Sequence, residues 1–196
     1  DDATGNQDAT SYNVSRGAPA VLDNGFGFTE INDSAGWYVS AGQFPELGDG
    51  PQTFCAWVKS DKTLFTRSPG LITNADGSND GISIRLNFVT PSIECYAGDG
   101  TYYATKFNLD DTNWHHYCCT YTGDVLDLYA DGVSQGSSSS FVLGTSSNDV
   151  EIGRDVAFPS SEFRYFQGMM DEVGIWNRSL TQSEVTAIYN SGNGRY

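Results

Sequence analysis

The chain has 196 residues, 10 basic and 25 acidic, for a formal charge of −15. That balance argues against a nucleic-acid partner, since a phosphate backbone wants a basic footprint, and against anionic membrane surfaces. The length suits a single domain with a two-sheet core, and no apolar stretch is long enough for membrane insertion.

Residues 1–25 read as an N-terminal loop segment. Trp37 and Tyr38 follow Gly36, and alternation begins soon after, with Phe54, Ala56 and Val58 on one face of a strand. Asn74-Ala-Asp-Gly-Ser-Asn-Asp80 is a loop of oxygen donors between two strands. Ile82, Ile84, Leu86 and Phe88 share one face of the next strand, and Ile93, Cys95 and Ala97 share one face of the strand after it. Tyr102 and Tyr103 lie in a glycine-flanked stretch that reads as loop. Leu126, Leu128 and Ala130 alternate up to Asp131-Gly132, a strong type I′ hairpin signal because both central residues need positive φ. Val150 and Ile152 form a short strand, and Asp171 shares parity with Val173 and Ile175, which places it inward. Thr181-Gln-Ser-Glu184 is a capping box flanked by Leu180 and Val185 at the staple positions, and predicts one short helix over 181–190. Many short strands with frequent turn signals, no repeat and no linker predict one all-β domain over 1–196, a two-sheet antiparallel sandwich.

Several segments resemble laminin G-like and pentraxin-like jelly rolls of the concanavalin A-like type. Thr53-Phe-Cys-Ala-Trp-Val-Lys59 resembles their early strand, Asn113-Trp-His-His-Tyr-Cys-Cys-Thr-Tyr121 their Trp-His-His strand, and Leu128-Tyr-Ala-Asp-Gly132 their hairpin. Asp2-Ala-Thr-Gly-Asn-Gln-Asp8 resembles a loop near their start, and Gln167 to Leu180 with the following helix resembles their end. A strand often precedes that first loop. The resemblance to pentraxins, which close without it, implies a complete domain, the alternative being a fragment with an edge open to a strand from elsewhere.

Cys55, Cys95, Cys118 and Cys119 lack zinc spacing, and adjacent cysteines on a strand point to opposite faces. The pentraxin resemblance implies a Cys55–Cys118 disulfide, and strand parity agrees by facing both outward. Cys95 and Cys119 either pair or stay as buried thiols, and thiols are the expectation. A disulfide implies an oxidising compartment, hence a secreted or cell-surface protein.

The acid patterns of jelly-roll glycosidases (Glu-x-Asp-x-x-Glu) and the Gln-x-His strand of jelly-roll lyases are missing, so no catalytic residue is assigned and the chain reads as a non-enzyme. His115 and His116 are neighbours on a strand and read as packing residues. Ca2+ is the expected cofactor. The resemblance implies that Asn79 and Asp80 of one loop and Asp155 of another, aided by Asp76, are its ligands. The order of Asn79 and Asp80 is reversed from the pentraxin pair, and Val156 and Ala157 stand where further ligands would be, so one ion or none is expected. Exposed aromatics stack on sugars, which makes Tyr102, Tyr103 and Trp37 the candidate ligand-binding residues. The function read from these features is a noncatalytic, lectin-like carbohydrate-binding module with a glycan or glycoprotein partner. The alternative is a protein-binding adhesion or assembly module working with other domains of a larger surface protein. A jelly-roll glycosidase or polysaccharide lyase ranks third.

Overall fold

A computed structural model describes residues 9–21, 24–28, 36–61, 68–77, 80–87, 92–97, 102–107, 112–157 and 164–190. The strands are β1 (Thr10–Tyr12), β2 (Ser15–Pro19), β3 (Asn24–Phe28), β4 (Tyr38–Ser40), β5 (Gln52–Ser60), β6 (Gly70–Thr73), β7 (Ile82–Asn87), β8 (Ser92–Ala97) and β9 (Tyr102–Phe107). They continue with β10 (His115–Tyr121), β11 (Leu126–Ala130), β12 (Val133–Ser137), β13 (Glu151–Ile152), β14 (Arg154–Asp155), β15 (Arg164–Tyr165) and β16 (Gly168–Trp176), followed by helix α1 (Gln182–Tyr189). One antiparallel sheet has the order β1-β4-β13-β6-β7-β8-β9, and the other β12-β11-β10-β5-β16-β3-β2. The two pack face to face as a jelly roll, the architecture expected from the alternation.

Period-2 patterning sets the core. Val39, Ile72, Ile82, Ile84, Ile93 and Ile152 come from the first sheet, and Phe54, Ala56, Val58, Tyr117, Leu126 and Leu128 from the second. Tyr121 closes one end: its buried hydroxyl donates to the Phe141 carbonyl (3.2 Å) and accepts from the Leu143 amide (3.0 Å).

The other face of the second sheet is covered by α1. Thr181 and Glu184 form the capping box, and Asn190, in the left-handed conformation, is the C-cap. Leu180 and Val185 bury against Cys55, Cys118 and Tyr129. Thr53 Oγ1 ties the approach to the helix, donating to the Arg178 carbonyl and accepting from the Leu180 amide, each at 2.9 Å. Asp131 and Gly132 have φ of 51° and 74°, the conformation a type I′ turn needs. The Gly132 carbonyl accepts from Gln182 Nε2 and Thr186 Oγ1 at 2.6 and 3.0 Å, so the hairpin tip holds the helix. A side chain at Gly132 would press on the Tyr189 ring. His116 is fully buried here, 5.3 Å from Trp57, while His115 Nδ1 lies 2.7 Å from Asp131. Both histidines are packing and edge residues.

Three expectations need correction. The stretch 1–25 is not wholly loop: β1, β2 and the start of β3 fall inside it, residues 1–8 lying outside the described residues. Short, glycine-containing and largely exposed strands carry no clear alternation, which hid them. Asp171 does not share a face with Val173 and Ile175. It pairs with Trp57 on the helix-side face. A bulge between Asp171 and Gly174, with Glu172 at φ 49°, then resets the parity so that Val173 and Ile175 pack on the core. Its Oδ1 accepts the Glu172 amide at 2.8 Å.

The third correction concerns the thiols. Cys55 and Cys118 are register partners on adjacent strands and form a disulfide under α1. Cys95 and Cys119 are also joined, linking β8 of the first sheet to β10 of the second through the core. No free cysteine remains. Mass mapping of nonreduced peptides should recover both links. Replacing Cys55 and Cys118 together by Ala should lower unfolding stability by about 2–4 kcal/mol, measured by chemical denaturation.

Candidate functional site

The outward face of the first sheet is polar and aromatic, and a single turn organises it. After β13 the chain bends at Gly153, whose φ is 84°; a Cβ there would lie 2.4 Å from the Phe28 ring. The bend carries β14 on past the end of β6, close enough that a side chain at Gly70 would meet the Arg154 carbonyl. Neighbouring residues of β14 then turn to different neighbours.

Asp155 goes down. Buried at 1% exposure, it accepts from the Tyr96 hydroxyl at both oxygens (2.8 and 2.9 Å) and from the Ala157 amide at 3.1 Å, with Arg85 Nη1 at 3.9 Å. Arg85 also bonds Glu94 at 2.7 Å and lies 4.1 Å over the Tyr96 ring. Burial pushes the Asp155 carboxyl up and the Tyr96 hydroxyl well up. Asp155 is therefore the post that holds β14 down.

Arg154 goes sideways. Its guanidinium sits 3.7 Å from the centroid of Tyr38, and Tyr12 stacks on the same ring at 4.4 Å and 16°. At those distances the two cannot share a face, so Tyr38 is sandwiched. Tyr165 continues the aromatic row 6.5 Å from Tyr38. Arg154 Nη2 also donates to Glu151 Oε1 at 2.8 Å. Beside it opens a cleft of about 310 Å³ lined by Ser147, Asn148, Asp149, Glu151, Arg154 and Val156. Ser40 donates to Asp149 Oδ2 at 3.1 Å, Gln43 to the Ser147 carbonyl at 2.8 Å, and Asn148 Nδ2 to the Ala75 carbonyl at 2.9 Å. Glu151 is only 5% exposed, and its Oε2 has no partner among the described residues. Burial lifts its carboxyl to about 7 against the pull of Arg154.

The residues singled out from sequence fare unevenly. The loops carrying Asp76, Asp80 and Asp155 do approach each other: a Cβ on Gly77 would lie 2.6 Å from the Ala157 carbonyl, and Ala75, Tyr96 and Ala157 pack together. Asp80 forms a bridge with Gly144, its carboxylate packed against that glycine, and the Asp80 carbonyl accepts the Asp76 amide at 3.2 Å. Asn74 caps the turn from within, its Oδ1 taking the Ile82 amide at 2.9 Å. Asn79 lies outside the described residues. Trp37 is 6% exposed within the core and offers no ligand face, so that expectation is overturned: the Gly36-Trp37 approach to β4 turns inward. Tyr102 and Tyr103 belong to β9, paired with Ala97 and Tyr96, rather than to a loop. Tyr12, Tyr38, Glu151 and Arg154 were missed. The extended Asp149-Val-Glu151 alternation is the signal that could have found the acid pair.

A two-sheet jelly roll with one capping helix and a polar outer face is the build of a concanavalin A-like sandwich. The chain belongs to the concanavalin A-like lectin/glucanases superfamily, whose laminin G-type pattern matches residues 33–186. It is 26% identical over 147 residues to human (Homo sapiens) neuronal pentraxin-1, covering 68% of this chain but 32% of that protein, so it spans about a third of that relative. Among solved structures, the heptameric SAP-like pentraxin of Limulus polyphemus superposes with a TM-score of 0.68 at 15% identity, over 91% of this chain and 88% of that one. Domain 4 of AbnA, a GH43 extracellular arabinanase of Geobacillus stearothermophilus in complex with arabinotriose, gives 0.67 at 18%, over 95% and 90%.

Two buried groups set opposing responses to acid. Burial lowers His116 from 6.5 to about 4, so the unfolded chain takes the proton first and stability falls as pH drops from 6.5 toward 4. Glu151 is raised from 4.5 to about 7, so the folded protein takes the proton first and stability grows as pH drops from 7 toward 4.5. Urea unfolding across this range should show Glu151→Gln losing stability more steeply in acid than the unmodified protein. His116→Gln should flatten the loss, by at most about 3 kcal/mol at the acid end.

Proposed function

We propose that this domain is a noncatalytic, lectin-like carbohydrate-binding module of a secreted or cell-surface protein, with its ligand in the cleft at Asp149, Glu151 and Arg154. The observation that carries this reading is the adjacency of the cleft to the Tyr12–Tyr38 stack. Tyr12 is 43% exposed, so an apolar sugar face can stack on its open side while a further sugar of the same chain reaches the charged groups beyond Tyr38. The arabinotriose complex of the arabinanase domain is consistent with sugar binding on this fold. The two disulfides agree with an oxidising, extracellular setting. No helix among the described residues is long and apolar enough to cross a membrane. The partner is a glycan or glycoprotein, reached alone or alongside other domains of a larger surface protein.

Calcium enters this reading as a modest-affinity ligand of the 74–80 loop through Asp76 and Asp80, with backbone carbonyls and waters completing the shell it prefers. Asp155, engaged by Tyr96, fits that role poorly.

The Asp149–Glu151 pair favours one second reading, glycoside hydrolysis. Two carboxylates line one cleft, and the one raised to about 7 suits a general acid. On the binding reading, no reducing sugar appears when the protein is incubated with any polysaccharide it retains. Release of sugar that Glu151→Gln abolishes would replace binding with catalysis.

A glycan array should show retention by the intact protein. Tyr12→Ala should weaken it about tenfold, the scale of one lost aromatic contact. Retention untouched by Tyr12→Ala would move the site elsewhere, and chelator sensitivity would test the calcium.

A further inference from the structure

We propose that the cleft selects the donor-rich edge of a neutral or amino sugar, with Glu151 Oε2 as the specificity-determining acceptor, and rejects acidic glycans. This rests on the carbohydrate reading above and goes beyond it to the chemical class of ligand.

The hydrogen-bonding state of each cleft residue supports it. Arg154 is the cation of the cleft, and it is engaged twice: Nη2 is given to Glu151 Oε1, and the guanidinium plane lies on Tyr38. An arginine that reads a carboxylate or sulfate presents its planar fork to the ligand. Here Nη2 is given to a carboxylate of the protein and the guanidinium plane is covered by an aromatic ring.

The remaining groups are weighted toward acceptors. Asn148 gives one Nδ2 hydrogen to the Ala75 carbonyl, which leaves its carbonyl oxygen and a second N–H. Asp149 takes the Ser40 hydroxyl on Oδ2, which leaves Oδ1. Glu151 Oε2 is buried and without a partner among the described residues. A buried oxygen in that state is costly unless a donor meets it, and the cleft is where a ligand donor can arrive. With Glu151 ionised, two carboxylates face one guanidinium, on a chain of net charge −15. A uronate, sialate or sulfate entering here meets acceptors and like charge. A sugar hydroxyl or ammonium meets the complement. Both carry the same chemistry, an O–H or N–H donor, and the arms of the test separate them.

The experiment is titration calorimetry of the intact protein with matched oligosaccharides drawn from the glycans its array retains: neutral, glucosamine-type and uronate-containing. Binding of the neutral or the glucosamine series with the uronates silent is expected. Preference for glucosamine that fades as pH falls below about 7, where Glu151 takes up its proton, would mark the ammonium as the reader. Glu151→Gln replaces one acceptor oxygen by an amide donor and should cost about tenfold or more in affinity. Asp149→Asn, at a half-exposed position where folding is less at stake, should cost several-fold. Uronate or sialylated glycans binding best, or neutral binding unchanged in both variants while Tyr12→Ala abolishes it, would overturn this inference and leave the carbohydrate reading standing. Retention of no glycan at all would overturn both.

Discussion

Cys118 and Cys119 hold the molecule together in a way no other pair of residues does. They are neighbours on β10, and the pleat sends them to opposite faces. Cys118 bonds Cys55 within its own sheet, on the side roofed by α1, while Cys119 crosses the core to Cys95 on the other sheet. Two consecutive residues thereby connect three layers: the first sheet, the second sheet and the helix-covered surface. Their faces are set by the register of β10 against β5, where Cys118 opposes Cys55 and Cys119 opposes Phe54. A one-residue slip would exchange the two thiols and break both links at once.

The two outer faces are finished differently. On the second sheet the helix shuts the surface. Val185 and Leu180 bury the Cys55–Cys118 bridge, Tyr189 stacks 5.5 Å from Trp57, and Gln182 and Thr186 meet the hairpin carbonyl at Gly132. On the first sheet a two-residue strand does the covering, and it covers only part. Asp155 plugs one polar pit over Tyr96, whereas Arg154 reaches across to Tyr38 and Glu151, leaving the cleft between them and Asn148. Under the plug Asp155 is met by Tyr96 and Ala157, whereas at the cleft Glu151 Oε2 has no partner among the described residues. The roof on one face and the open cleft on the other are why one reads as structure and the other as a site.

The fold was legible because its elements carry periodic or chemically forced signals. Ile82, Ile84 and Leu86 alternate, Asp131-Gly132 demands a particular turn, and Thr181 with Glu184 announces a helix, which begins at Gln182. The legible parts stop where the signal depends on distant partners. Strands β1 and β2 are extended only because β4 and β3 pair with them. The face of Asp171 changes because of a bulge that no local pattern marks. The site was harder still. Exposed aromatics and oxygen-rich loops point to Trp37 and Asp155, yet tertiary packing buries the first and spends the second on Tyr96. Tyr12, Tyr38 and Arg154 form a stack across residues far apart in the chain, and nothing in any one segment reveals it. Only the Asp149-Val-Glu151 alternation carried a local signal, two acids on one side of an extended segment, and it went unread.

Most of the cleft is written in one run of chain. Residues 147–156 supply its lining, and they do so between two anchors, the β13 pairing and the Asp155 plug, that use none of the ligand-facing atoms. Evolution can therefore edit recognition as a cassette. Exchanges at Ser147, Asn148 or Asp149 alter what the face accepts while the disulfides, the core and the helix stay as they are. Tyr12 and Tyr38, borrowed from the other end of the sequence, remain a constant stack beside a variable reader.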